Sequence, residues 1–234
     1  PYTVVLAAQV PHAVGYAMGL NFDRDIEEKT GVKQTGQGQA TDPSNDELPP
    51  AVAVYFGDGS STEGEAHESM VFAASYSAPV LFFIQNNQWA ISVPFKTQSR
   101  VPLSTRAAGY GMEGLRVDGN DVLAVAAVTR YAMEKIRAGQ GPVMIEAETY
   151  RLGAHTTADD PTKYRTGEEE AARGQLDPLI RLEKYLRENN IADDEFFESV
   201  DQDAQIIASQ VRQVALQSEP ADYETNFDFA YAEE

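Results

Sequence analysis

The feature that most restricts this chain is a pair of apolar runs, each stopped by a polar signature. Ala51 to Phe56 reads AVAVYF and closes on Gly57-Asp58-Gly59; Ala78 to Ile84 reads APVLFFI and closes on Asn86-Asn87. β-Branched and aromatic content bounded by turn residues makes each run a buried strand. Between them, Thr62-Glu63-Gly64-Glu65 reads as a capping box with Thr62 at the N-cap and Glu65 at N3. It opens a helix that carries Ala66, Met70, Ala73 and Ala74 at helical spacing and ends before Pro79. A strand, a helix and a strand in this length form a right-handed crossover, and the second strand returns parallel to the first.

The alternation continues along the chain. Gly114 to Val117 reads as a short strand. Asp121 caps a helix with Val122, Val125, Ala126, Thr129, Ala132 and Ile136 on one side, ended by Gly139 and Pro142. Val143 to Glu148 is a further strand, and Tyr150 to Arg165 a loop. From Glu168 to about Gln217 the pattern is helical and amphipathic, followed by an acidic tail. Upstream, Pro1 to Leu6 reads as a short extended segment and Pro11 to Leu20 as a helix. Residues 21–50 are polar, acidic and glycine-bearing, and read as a surface insertion. Alternating strands and helices specify a parallel, doubly wound α/β sheet with helices on both faces. It spans residues 1–165, with a helical C-terminal extension over 166–234.

Composition narrows the function. Thirty-seven acidic against eighteen basic residues give a net charge of −19, a field that repels nucleic acid and anionic membranes. Lysine occurs only at positions 29, 33, 96, 135, 163 and 184, and this acidity reads as adaptation to high salt. No apolar run is long enough to cross a bilayer, no secretory leader is evident, and the absence of cysteine removes disulfide and thiolate chemistry. The expected location is the cytoplasm.

Asp58 and Asn87 each stand just beyond the carboxyl end of a strand. If the two strands are neighbours, about 4.8 Å apart, both side chains converge on the crevice where open α/β sheets bind ligands. A carboxylate and an amide oxygen are hard ligands that suit Mg²⁺, which keeps positions for phosphate oxygens. Gly57 and Gly59 allow tight turns there, and Gly59-Ser60 precedes a helix N-terminus that favours phosphate. GDG alone is usually a turn, and NN is weaker still; strand–GDG–helix–strand–NN matches the thiamine-diphosphate motif.

The stretches FGDGSSTEGEAHESMVFAA, APVLFFIQNNQWAISVP, GYGMEGLRVDGNDVLAV and GPVMIEAETYRLGAHTTADDPTKYR resemble the alpha subunits of heterotetrameric 2-oxo acid dehydrogenases. The similarity extends to LAAQVPHAVGYAMG near the start, DPLIRLEKYL and the tail NFDFAYAEE; residues 21–50 fall outside it. The resemblance implies the thiamine-diphosphate-binding fold, with Mg²⁺ held by Asp58, Asn87 and the Trp89 carbonyl. It places Gly59 and Ser60 on the diphosphate, Val4 and Leu6 at the aminopyrimidine, and Arg151 on the diphosphate as well. His155 takes the loop position beside the cofactor, where it would act in the chemistry. On residue type alone, His155 in a loop with Asp159, Asp160 and Lys163 is a solvated surface group, and Arg151 pairs with a nearby acid. His12 and His67 read as structural, Ile91 and Met112 as core.

Two departures concern ligands. Gln85 stands where branched-chain members often carry a phosphate-binding arginine. Thr3 and Gln9 retain monovalent-cation positions of such members, but Ala8 replaces a threonine ligand. The implied reaction is oxidative decarboxylation of a 2-oxo acid, branched-chain or pyruvate, with acylation of a lipoyl group. The implied partners are a beta subunit in an α2β2 assembly and the lipoyl domain of an acyltransferase. An acetoin-cleaving relative and a non-catalytic Mg²⁺–nucleotide module are the rival readings.

Overall fold

A computed structural model describes residues 4–32, 48–220 and 222–223. Residues up to Leu182 form one compact unit and those from Glu183 onward a second. In the first, four parallel strands lie in the order β1 (Val52–Gly57), β2 (Val80–Asn86), β6 (Val143–Glu148) and β5 (Glu113–Asp118). β1 and β2 are direct neighbours, with Gly57 opposite Gln85, so Asp58 and Asn87 follow the ends of adjacent strands.

Helices cover both faces, as expected of a doubly wound sheet. Side chains alternate across a strand, so Val80, Phe82 and Ile84 face one side while Leu81 and Phe83 face the other. The first set packs with Val54, Phe56 and Met144 against α1 (Gln9–Thr30) and α2 (Gly64–Ser75). The second packs with Val143, Ile145 and Ala147 against Ala132 and Ile136 of α5 (Val122–Arg137). β2 and β6 are therefore buried on both faces. β1 is an edge strand buried on one face only: Val54 and Phe56 point inward while Tyr55 is exposed, so AVAVYF is half-buried where full burial was expected. On α5 the inner stripe comprises Val125, Val128, Ala132 and Ile136; Val122 and Ala126 lie outside it.

Local signals account for most helix ends. Asp121 accepts from the N–H groups of Leu123 and Ala124 and caps α5. α1 runs well past Leu20, so residues 21–30 are helix and not insertion. Nothing breaks it before Gly31, whose φ of 70° lets its N–H reach the Glu27 carbonyl. Of the rest of the expected insertion, residues 33–47 lie outside the described residues. The expected extended start fails where it is described: residues 4–8 form a bend and a turn, with Ala7 at φ 62°, while Pro1 to Thr3 lie outside the described residues.

The capping box is absent. A 3₁₀ turn over Ser60–Thr62 intervenes, the Thr62 hydroxyl donates to the Gly59 carbonyl, and Glu63 takes the N-cap without side-chain capping. The short hydroxyl residues bond back to the turn, which delays the helix to Gly64. The C-terminal helical pattern resolves into α6 (Gly167–Gly174), α7 (Pro178–Glu188) and α8 (Asp194–Gln217). Among the described residues no helix is long and apolar enough to cross a membrane.

Candidate active site

The carboxyl ends of β1, β2 and β6 gather most of the residues singled out in the sequence. After β1, Asp58 turns inward and is almost fully buried at 2% exposure, and its backbone carbonyl accepts from the Ser61 N–H and hydroxyl. Its Oδ2 accepts from Gln98 Nε2 at 2.9 Å, while Oδ1 has no hydrogen-bond partner among the described residues. A buried carboxylate with one oxygen committed and one open is a ready cation ligand. Gly59 sits at a close approach: a Cβ there would lie 3.0 Å from that of Ala90, tighter than side chains ordinarily pack. Gly57 meets no such constraint, since a Cβ would touch nothing within 4 Å. The N–H groups of Gly59 and Ser60 donate to no backbone carbonyl among the described residues and remain open to an anion.

After β2 the two asparagines divide their work. Asn86 is buried and donates through Nδ2 to Glu146 at 2.8 Å. Asn87 is half-buried, and its Oδ1 accepts from the Trp89 N–H at 3.1 Å with a lone pair to spare. A small antiparallel hairpin follows, β3 (Trp89–Ala90) with β4 (Val93–Pro94), which leads into the short helix α3 (Phe95–Gln98) carrying Gln98. Gln88 and Ile91 both take positive φ, 73° and 54°. Ile91 sits at the exposed tip of the hairpin and not in the core as expected; Met112 is buried as expected.

Arg151 follows β6 and joins this group. Its N–H bonds to the Asn87 carbonyl at 3.1 Å. The guanidinium donates to the carbonyls of Trp89 (3.3 Å) and Ile91 (2.6 Å) and to the Tyr164 hydroxyl (2.9 Å). Among the described residues it forms no direct ion pair, although its charge also favours the ionised Asp159. Tyr164 donates in turn to Asp159 Oδ2 at 2.6 Å, and that oxygen also accepts from the His155 N–H at 2.8 Å. The Tyr164 hydroxyl and the His155 N–H hold the Asp159 carboxyl below its usual range. Burial and that same carboxylate hold the Tyr164 phenol above its own. Arg165, inaccessible to solvent, closes the base of the loop on the carbonyls of Arg151, Leu152 and Gly153.

The side chains of the remaining expected residues make no hydrogen bond to this cluster among the described residues. The His155 ring is exposed and makes no hydrogen bond among the described residues. Val4 and Leu6 are exposed in the turn before α1. Gln9, a candidate cation ligand, donates its amide Nε2 to the Tyr55 carbonyl (2.9 Å). Gln85 is exposed. His67 is tied to Tyr110, in keeping with a structural role. Sequence reasoning missed Gln98, Glu146, Tyr164 and Arg165. Glu146 alone carried a local signal, a lone acid inside an apolar strand.

A family model described as "Dehydrogenase E1 component" matches residues 2–222. The chain belongs to the dehydrogenase E1 component family. Among E1 relatives, the 3-methyl-2-oxobutanoate dehydrogenase subunit alpha of Mycobacterium tuberculosis is 40% identical over 100% of this chain and 58% of its own length. The 2-oxoisovalerate dehydrogenase subunit alpha of Bacillus subtilis is 35% identical over 97% of the chain and 62% of its own length. The pyruvate dehydrogenase E1 component subunit alpha of Staphylococcus aureus is 46% identical over 60% of this chain and 39% of its own length. The chain thus spans about three fifths of the first two E1 relatives.

Proposed function

We propose that this chain is the cofactor-holding part of the alpha subunit of a 2-oxo acid dehydrogenase, and that it binds thiamine diphosphate through Mg²⁺. The observation that carries the reading is the seating of Asp58 and Asn87 at the ends of adjacent parallel strands, with Arg151 bonded to the second loop. Asp58 Oδ1, Asn87 Oδ1 and the Trp89 carbonyl are hard oxygens with lone pairs to spare, a donor set that fits Mg²⁺. The open N–H groups of Gly59 and Ser60 suit the diphosphate. When bound, the thiazolium supplies the carbanion chemistry that releases carbon dioxide from a 2-oxo acid.

The chain's own residues bind and orient. Arg151 holds the hairpin tip through two carbonyls and presents positive charge beside the phosphate position. Tyr164 and Asp159 set the path of the loop that carries His155. His155, exposed on that loop, is positioned to meet a 2-oxo acid or a lipoyl group arriving from outside, and to move a proton in acyl transfer. Val4 and Leu6 offer backbone groups to the aminopyrimidine from the turn before α1. The group that activates the cofactor comes from a beta subunit in an α2β2 assembly, and the acyl group passes to the lipoyl domain of an acyltransferase. The relatives that match along the whole chain are named for branched-chain substrates, which favours a branched-chain 2-oxo acid over pyruvate.

Calorimetry of thiamine diphosphate against the full protein, with and without Mg²⁺, tests the site. Asp58→Ala is expected to abolish the Mg²⁺-dependent heat, whereas unchanged affinity, or a preference for ATP, would overturn the reading. Turnover across a panel of 2-oxo acids, measured with the partner subunit and a lipoyl acceptor, then fixes the substrate.

A further inference from the structure

We infer that Gln98 sets the cation preference of this site by fixing how Asp58 coordinates. The inference rests on the assignment of Asp58 as a metal ligand. Gln98 Nε2 faces two acceptors, Asp58 Oδ2 at 2.9 Å and the Val93 carbonyl at 3.4 Å. Only the amide nitrogen can serve both, so chemistry fixes the orientation of the amide. Asp58 is 2% exposed and cannot swing into solvent. Its other neighbours hold the backbone: Ser61 binds the carbonyl through both N–H and hydroxyl. Oδ2 is thus occupied from behind, and Oδ1 alone remains for a cation.

That division matters because cations differ in what they ask of a carboxylate. Mg²⁺ takes six ligands in a strict octahedron and accepts single carboxylate oxygens. Ca²⁺ takes six to eight and readily uses both oxygens of one carboxylate. A carboxylate restricted to one oxygen favours the smaller ion, and the group that restricts it is a positioning residue for selectivity. Gln98 approaches from α3, forty residues downstream of Asp58, so the hairpin that presents Trp89 and the amide that restrains Asp58 belong to one continuous segment. The order of the hairpin and the denticity of Asp58 are thereby coupled.

The test uses the full protein assembled with its partner subunit, and reads thiamine diphosphate binding by calorimetry in titrations of MgCl₂ and, separately, CaCl₂. Gln98→Leu, which keeps bulk and removes the donor, is expected to raise the half-saturating Mg²⁺ concentration by about tenfold, in the range usual for groups that support metal ligands. The Ca²⁺ value should stay within about threefold, because the freed Oδ2 adds a ligand for the larger ion. Gln98→Ala should shift the ratio in the same direction, and serves if the leucine variant melts at a lower temperature without metal. Equal shifts for both cations, or no shift, overturn the inference while leaving the metal site in place. Asp58→Ala is run alongside: wild-type metal dependence there removes the site assignment itself, and the inference with it.

Discussion

Glu146 lies in the centre of β6 with no exposed surface, and accepts three hydrogen bonds. They come from Asn86 Nδ2 at 2.8 Å, the Ser104 N–H at 2.9 Å and the Ser104 hydroxyl at 3.0 Å. It ties the end of β2 to the 3₁₀ turn at Leu103–Thr105, directly behind the Asn87 loop. Glu146→Ala strands those donors in the interior and is expected to cost about 3 kcal/mol or more, at about 1–3 kcal/mol for each donor left unpaired; urea unfolding monitored by circular dichroism measures it. Gly114 makes a comparable demand by shape. A Cβ there would fall 2.0 Å from the Ser104 carbonyl oxygen, so Gly114→Ala forces the turn off the sheet. A loss of about 3 kcal/mol is expected, at the upper end of usual overpacking costs. Gly139→Ala makes a contrast: φ is 73° but the surroundings are open, so about 1 kcal/mol is expected.

Among elements, the loop from Arg151 to Arg165 joins structure to function. Its internal bonds run Arg151 to Tyr164, Tyr164 to Asp159 and Asp159 to the His155 N–H. Because the Asp159 carboxyl is held below its usual range in the folded loop, its contribution is fully present above the unfolded pKa of about 3.9 and is lost as pH falls through the lower folded value. Tyr164, held above its ordinary range, keeps its proton and continues to donate throughout neutral pH. Trp89 is the single tryptophan of the chain and its ring lies 5.1 Å from that of Tyr164, so its fluorescence reports loop order in the chain alone. Wild type and Asp159→Asn should differ in Trp89 emission at neutral pH, and should converge only in acid below the lowered folded pKa of Asp159. A difference that persists in acid would mean that Asp159 does not order the loop.

The pairing of β1 with β2, which sets the Asp58 and Asn87 loops at the ends of adjacent strands, could be read in advance, because strand-end motifs and crossover handedness are local rules. The capping box could not: Ser60 to Thr62 had two competing uses, and the turn won. Gln98 was illegible for another reason. It reaches Asp58 across forty residues through a hairpin with two positive-φ positions, and no periodicity marks that path.

At the level of the whole molecule the charge of −19 remains to be explained. Acids crowd residues 23–28, 168–170 and 193–203, where the side chains are largely exposed. Screening length falls from about 30 Å at 0.01 M salt to about 3 Å at 1 M, so repulsion among these clusters weakens as salt rises. The thermal midpoint, and turnover of the reconstituted assembly, are expected to climb with KCl into the molar range. Sucrose is the uncharged control. A flat or falling series above physiological salt would mark the acidity as ordinary.

The strand order β1-β2-β6-β5 also dictates a sequence of events during synthesis. β5 leaves the ribosome before β6, yet β6 lies between β5 and β2. β5 therefore has no neighbour to pair with until β6 docks, and that docking makes the contacts between β2 and β6. Asn86 meets Glu146, and Asn87 meets Arg151, only at that step. A nascent chain that has not reached Arg151 has its Asp58 and its asparagines but no finished crevice. A ligand gripped by both loops would close the seam between β2 and β6, so that holding it and finishing the fold become one event.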